Sequence, residues 1–180
     1  ASAGADIVLH YRSNADLAEQ LRRDIEAIGA SACIVQADIT RLESVMELKE
    51  KAYAFRPSID IVVANAVVQY GWKPILQQPA EDYVSQFESC VLQSVFLAQA
   101  FVPGMIDRGW GRFIGINTEC AMQNFPNQSA YVAGKRGMDG VYRVLAKEVG
   151  EHAITVNSVG PGEIATPLTG NEDVDPTTVK

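Results

Sequence analysis

The chain has 180 residues, 47% of them hydrophobic and 21% charged, with 15 Lys and Arg against 22 Asp and Glu and a net charge of -7. This composition excludes disordered and fibrous chains, and the acidic balance lacks the basic stripe that a nucleic-acid binder needs. No run approaches about 18 consecutive apolar residues, and with three scattered cysteines (Cys33, Cys90, Cys120) and two histidines no usual zinc or haem pattern can be written. The expectation is one soluble domain over residues 1–180 in a reducing, cytoplasmic compartment, with no metal, no membrane and no nucleic acid.

Apolar periodicity then alternates between strand and helix types along the chain. Asp6 to Tyr11 reads as a strand. Ser13 or Asn14 offers an N-cap, Leu17, Leu21, Ile25 and Ile28 share one helical face, and Gly29 stands where a left-handed C-terminal residue is expected. Ala32 to Ala37 is a second strand. Leu42, Val45, Met46, Lys49, Ala52 and Tyr53 form another helical stripe that Pro57 ends. Ile59 to Asn65 and Arg112 to Asn117 are the third and fourth strands, separated by a long helix from about Asp82 to Arg108. A helix from Ser129 to Gly150 and a fifth strand from Ile154 to Val159 follow, and the polar stretch Pro167 to Lys180 reads as a loop.

Continuous Val and Ile runs are the habit of parallel strands covered by helices on both faces, so the fold class is α/β, a doubly wound parallel sheet. Ligands in such sheets sit beyond the carboxyl ends of the strands. Those ends carry Tyr11-Arg12-Ser13, Asp38-Ile39, Asn65-Ala66-Val67, Asn117-Thr118 and Gly160-Pro161-Gly162. Tyr131 and Lys135, four apart, lie on one helical face. An ammonium beside a phenol favours the phenolate and brings a pKa near ~10 toward the working range, although a lone Tyr-x-x-x-Lys pair is more often a surface pair.

Four stretches together change that balance: Ala37-Asp38-Ile39, Asn65-Ala66, the spacing from Thr118 to Tyr131 and Lys135, and Pro161-Gly162-x-Ile164-x-Thr166. On these the chain resembles the short-chain dehydrogenase/reductase family, in its 3-oxoacyl-ACP reductase-like branch. The resemblance implies a Rossmann-like sheet and hydride transfer between a nicotinamide and a carbonyl or secondary alcohol. It implies Tyr131 as general acid, Lys135 as the group that lowers its pKa and holds the nicotinamide ribose, and Thr118 in place of the family's catalytic Ser. Asp38 and Ile39 match positions flanking the adenine, Asn65 and Ala66 those near the adenosine ribose, and Pro161, Gly162, Ile164 and Thr166 the segment at the carboxamide. Arg12 replaces the acid that suits the ribose hydroxyls of NAD and favours the 2'-phosphate of NADP, with NAD the second choice. A homotetramer, or next a dimer, is the family's habit, with Val91, Val95, Phe96, Ala98 and Phe101 as apolar contacts and Gly134, Gly137 and Gly140 as sites of close packing.

The sequence also departs from the family pattern. The glycine-rich phosphate loop and the first strand before it are absent, and the chain stops where the substrate lid is usually built, so the sequence is expected to be a piece of a longer chain. The missing strand lies mid-sheet, which would leave the strands at Asp6–Tyr11 and Ile59–Asn65 each short of a partner. Val67 stands where a Gly is usual, and Val91 where an Asn anchors a proton-relay water. Glu119 is a substitute relay or an ordinary exposed carboxylate. A non-catalytic dinucleotide-binding relative is the alternative function.

Overall fold

The computed structural model describes residues 1–162 and Ile164, so the tail read as a loop and Thr166 lie outside the described residues. The elements are β1 (Ile7–Tyr11), α1 (Ala15–Ala27), β2 (Ala32–Gln36), α2 (Leu42–Phe55), β3 (Ile61–Ala64), α3 (Ala80–Gln86), α4 (Gln93–Arg108), β4 (Gly111–Ile116), α5 (Cys120–Gln123), α6 (Ser129–Val149) and β5 (Ile154–Val159). A π-turn over Phe87–Leu92 joins α3 to α4 into one long helix. Local chemistry explains the ends: Asn14 Oδ1 accepts the Leu17 N–H at 3.1 Å, and Gly29 and Gly109 take positive φ of 86° and 66° just past their helices, where a side chain would be strained.

Every strand pair is parallel. β1 pairs β2 from Ile7 opposite Ala32 to Tyr11 opposite Gln36, β3 pairs β4 from Ile61 opposite Arg112, and β4 pairs β5 from Gly111 opposite Ile154 to Ile116 opposite Val159. The doubly wound α/β class expected from the sequence is therefore the observed one. Val35, Val45, Leu48, Val62, Leu97, Met105, Phe113, Met138, Tyr142 and Ile154 belong to one core built by β2–β5 with α2, α4 and α6.

The ladder is interrupted between β1 and β3: among the described residues the strands form a pair, β1–β2, and a triplet, β3–β4–β5. This break corrects two expectations. Leu17, Leu21 and Ile28 of α1 are exposed and only Ala18 and Ile25 of that helix are buried, because the helix reaches the sheet through β1 and β2 alone. β3 is buried on one face, with Val62 and Ala64 inside and Ile61 and Val63 outside. Two of the apolar contacts assigned to an oligomer interface are also corrected: Val91 and Phe101 are buried in the chain's own core, whereas Val95, Phe96 and Ala98 are half-buried.

Candidate active site

The segment after β4 is stitched to the end of β5, which fixes Thr118. The Asn117 N–H donates to the Val159 carbonyl at 2.7 Å and the Glu119 N–H to the Pro161 carbonyl at 3.0 Å. A Cβ at Gly162 would stand 3.1 Å from the Glu119 carboxylate, a tight contact that the Glu119 side chain would have to yield to. Glu119 is half-buried against this segment and Gln123 rather than fully solvated, which corrects the expectation of ordinary exposure.

Tyr131 lies in the first turn of α6 and Lys135 one turn on. Their helix is seated on the long helix through two glycines. A Cβ at Gly134 would fall 2.8 Å from the Gln86 carbonyl oxygen, and one at Gly137 would fall 2.8 Å from Val91 Cγ2, whereas Gly140 faces open space and has no packing reason. Val91 thus fills a packing role, with no polar group to hold a relay water.

Thr118 Oγ1 accepts the Cys120 N–H at 3.2 Å and its hydroxyl acts on the Tyr131 phenol, and Lys135 Nζ is 5.7 Å from the Tyr131 ring centroid. Lys135 is 2% exposed, with its ammonium donating to the Ile116 carbonyl at 2.5 Å. Burial pushes the Tyr131 phenol above its ordinary value, with the Thr118 hydroxyl pulling the other way. Burial likewise pulls Lys135 below the ordinary lysine range, the Cys90 thiol opposing it. The expected lowering of the phenol by the ammonium is therefore not the balance this packing produces: desolvation disfavours charge on both groups. At neutral pH the phenol keeps its proton, the form a general acid needs.

A cleft of about 390 Å³ opens at the carboxyl ends of β1 to β3, lined among others by Tyr11, Arg12, Ser13, Asp38, Ile39, Ala66 and Val67. Arg12 is exposed at its rim and makes no ion pair among the described residues. Asp38 directs Oδ1 to Thr40, whose hydroxyl donates at 2.7 Å and whose N–H at 3.0 Å. That bond, more than any neighbouring charge, holds the carboxyl below the usual range, and it leaves Oδ2 uncommitted. The donor set suits a dinucleotide: a guanidinium and hydroxyl for phosphate, a carboxylate oxygen for an amino group, and apolar walls for a base. Asn65 is exposed at the end of β3 outside this lining, and Ile164 is exposed.

Sequence reasoning missed three kinds of residue. Tyr70 accepts the Tyr131 N–H on its phenol oxygen at 2.8 Å. Trp72 stacks on the Tyr131 ring with centroids 6.5 Å apart and planes inclined by 26°. Gln86 and Gln93, buried in the long helix, donate to the carbonyls of Val68 and Ala66 at 2.7 Å each and tie down the loop after β3. The glutamines sit seven apart, and so on one face of the long helix, which is the signal that could have found them.

A parallel α/β sheet with a polar-rimmed cleft at its strand ends, a Thr after β4 and a Tyr and Lys one turn apart on α6 defines a dinucleotide-dependent oxidoreductase class. The short chain dehydrogenase family model matches residues 1–176, and the chain belongs to that family. It is 31% identical over 177 residues to a 3-oxoacyl-[acyl-carrier-protein] reductase of Synechocystis sp., covering 98% of this chain and 71% of that one. A 7 alpha-hydroxysteroid dehydrogenase solved with NADH and 7-oxo glycochenodeoxycholic acid superposes with a TM-score of 0.88 at 29% identity, covering 98% of this chain and 68% of the other. A metagenomic short-chain oxidoreductase solved with NADP superposes at 0.82 with 26% identity, covering 91% and 73%. The chain spans 62% of the length of other curated relatives, such as a hydroxynaphthalene reductase-like protein of Metarhizium majus. The family is one of nicotinamide-dependent oxidoreductases that act on alcohol and carbonyl groups.

Proposed function

We propose that the protein is an NADP-preferring reductase or dehydrogenase that interconverts a carbonyl and a secondary alcohol, with Tyr131 as general acid in reduction and general base in the reverse direction. The observation that carries this reading is the Thr118 hydroxyl acting on the Tyr131 phenol, with Lys135 one turn further along the same helix and 5.7 Å from the Tyr131 ring centroid. Arg12 and Ser13 would hold a 2'-phosphate, Asp38 and Ile39 the adenine, Ala66 the ribose beside it, and Lys135 the nicotinamide ribose. The bound cofactor supplies or takes up the hydride.

The chain's residues handle the proton. In reduction Tyr131 gives its phenolic proton to the substrate oxygen, which Thr118 orients through its hydroxyl. The phenolate left behind is stabilised by the Lys135 ammonium, and water restores the proton. Arg12, exposed and in no contact ion pair among the described residues, supports NADP over NAD. Exposed Val84, Phe87 and Val144 on the long helix and α6 support assembly into a homodimer or homotetramer. Three free cysteines fit a cytoplasmic setting.

Tyr131→Phe tests the assignment. Turnover of a carbonyl substrate is expected to fall by at least about a hundredfold, while the affinity for NADPH stays within twofold. Unchanged turnover would overturn the role of Tyr131 and favour a non-catalytic binding protein.

A further inference from the structure

We infer that Trp72 is a substrate-recognition residue, a flat apolar wall beside the reacting phenol that selects ketones carrying a planar aromatic ring. The inference rests on the carbonyl-reductase reading and adds to it a substrate class. Trp72 is 51% exposed, so core packing does not account for its placement. The loop that carries the indole is nevertheless held. Gln78 is buried and clasps the loop on both sides of Trp72, accepting the Lys73 N–H at 2.9 Å and donating to the Gly71 carbonyl at 3.2 Å. The same amide donates to Asp82 at 2.5 Å, which anchors the clasp to the long helix. Two residues before Trp72, the Tyr70 phenol receives the Tyr131 N–H at 2.8 Å, so the loop is fastened to the very turn that carries the general acid.

The result is a braced indole lying nearly parallel to the Tyr131 ring, with half its surface free. An exposed aromatic face that is already ordered binds flat π-systems with little further loss of conformational freedom. A ketone whose oxygen reaches the Tyr131 phenol places the group flanking its carbonyl beside this wall. An aryl ring there gains offset stacking, and a short alkyl group gains little.

The test compares β-tetralone, a planar aryl-fused ketone, with butanone, using the full-length protein. In steady-state assays with NADPH, Trp72→Ala is expected to raise KM for β-tetralone about three- to tenfold and to change KM for butanone less than twofold. A second readout needs no turnover. Trp72 and Trp110 are the two tryptophans of these 180 residues, so the difference in emission between the Trp110→Phe protein and the Trp72→Phe/Trp110→Phe double variant reports Trp72, and the Trp72→Phe protein corrects for absorbance. Saturable quenching of Trp72 by β-tetralone, in the presence of NADP, is expected only in the Trp110→Phe protein. Quenching without reduction of either ketone would uphold the wall and overturn the reductase reading. Absence of quenching, or an equal KM change for both ketones in Trp72→Ala, would overturn the wall and leave the reductase reading standing.

Discussion

Three glycines on α6 offer a matched test of how the Tyr131 helix is seated. Replacing any of them by Ala contributes the same helix-propensity gain, about 1 kcal/mol, so differences between the variants isolate packing. At Gly140 the new methyl meets nothing within 4 Å, and stability is expected to rise by about that 1 kcal/mol. At Gly134 it would lie 2.8 Å from the Gln86 carbonyl oxygen, 3.1 Å from Gln86 Cβ and 3.2 Å from Cys90 Sγ. A main-chain carbonyl cannot swing aside, so α6 and the long helix must separate by a few tenths of an ångström. Overpacking of this kind costs about 1–3 kcal/mol, which sets the expected gap between Gly134→Ala and Gly140→Ala. Gly137→Ala, blocked by one valine methyl at 2.8 Å, falls between them. Thermal unfolding resolves the series at about 2–4 °C for each kcal/mol in a chain of this size. Because Gly134 adjoins Lys135, its variant is also expected to lose turnover while Gly140→Ala keeps it. Equal melting temperatures for the two would refute the described contact between α6 and the π-turn.

Tyr142 is buried with its hydroxyl 3.0 Å from Ser94 Oγ, and burial pushes it up to about 12. Its neutral form therefore contributes stability that is complete below about pH 10 and lost as pH rises toward 12, about 2–3 kcal/mol in all; urea unfolding of Tyr142→Phe should lack that alkaline loss. Lys135, pulled down by burial, costs stability at neutral pH, and wild-type stability should rise as pH passes from its folded value to the ordinary lysine value near ~10.4. Lys135→Met should show no such rise when melting is followed from pH 7 to 11, and no turnover. Gln86→Ala removes the donor to the Val68 carbonyl and leaves a cavity, for an expected loss of about 2–4 kcal/mol, with faster hydrogen exchange in residues 66–79 as the local readout.

The strands and helices were legible because each carries its own periodicity and punctuation: Asn14 and Gly29 bracket α1. Thr118, Tyr131 and Lys135 were legible because their spacing survives in one dimension. The exposure of Leu17, Leu21, Ile61 and Val63 was not, since periodicity says which residues share a face and not what covers it. Nor was the charge balance of the site. Two groups four apart on a helix suggest that the ammonium lowers the phenol, yet burial of both acts more strongly and in the opposite sense. Tyr70 and Trp72 escaped notice because they reach Tyr131 from 61 and 59 positions away, through a loop whose shape is set by Gln78 and Gln86.

The most direct test is an equilibrium titration with NADPH and with NADH, followed by the fluorescence of the reduced nicotinamide, on the wild-type and Arg12→Ala proteins. Saturable binding with NADPH the tighter ligand, and loss of that preference in Arg12→Ala, is the predicted result. Binding of neither dinucleotide, or tighter NADH with Arg12→Ala indistinguishable from wild type, would contradict it.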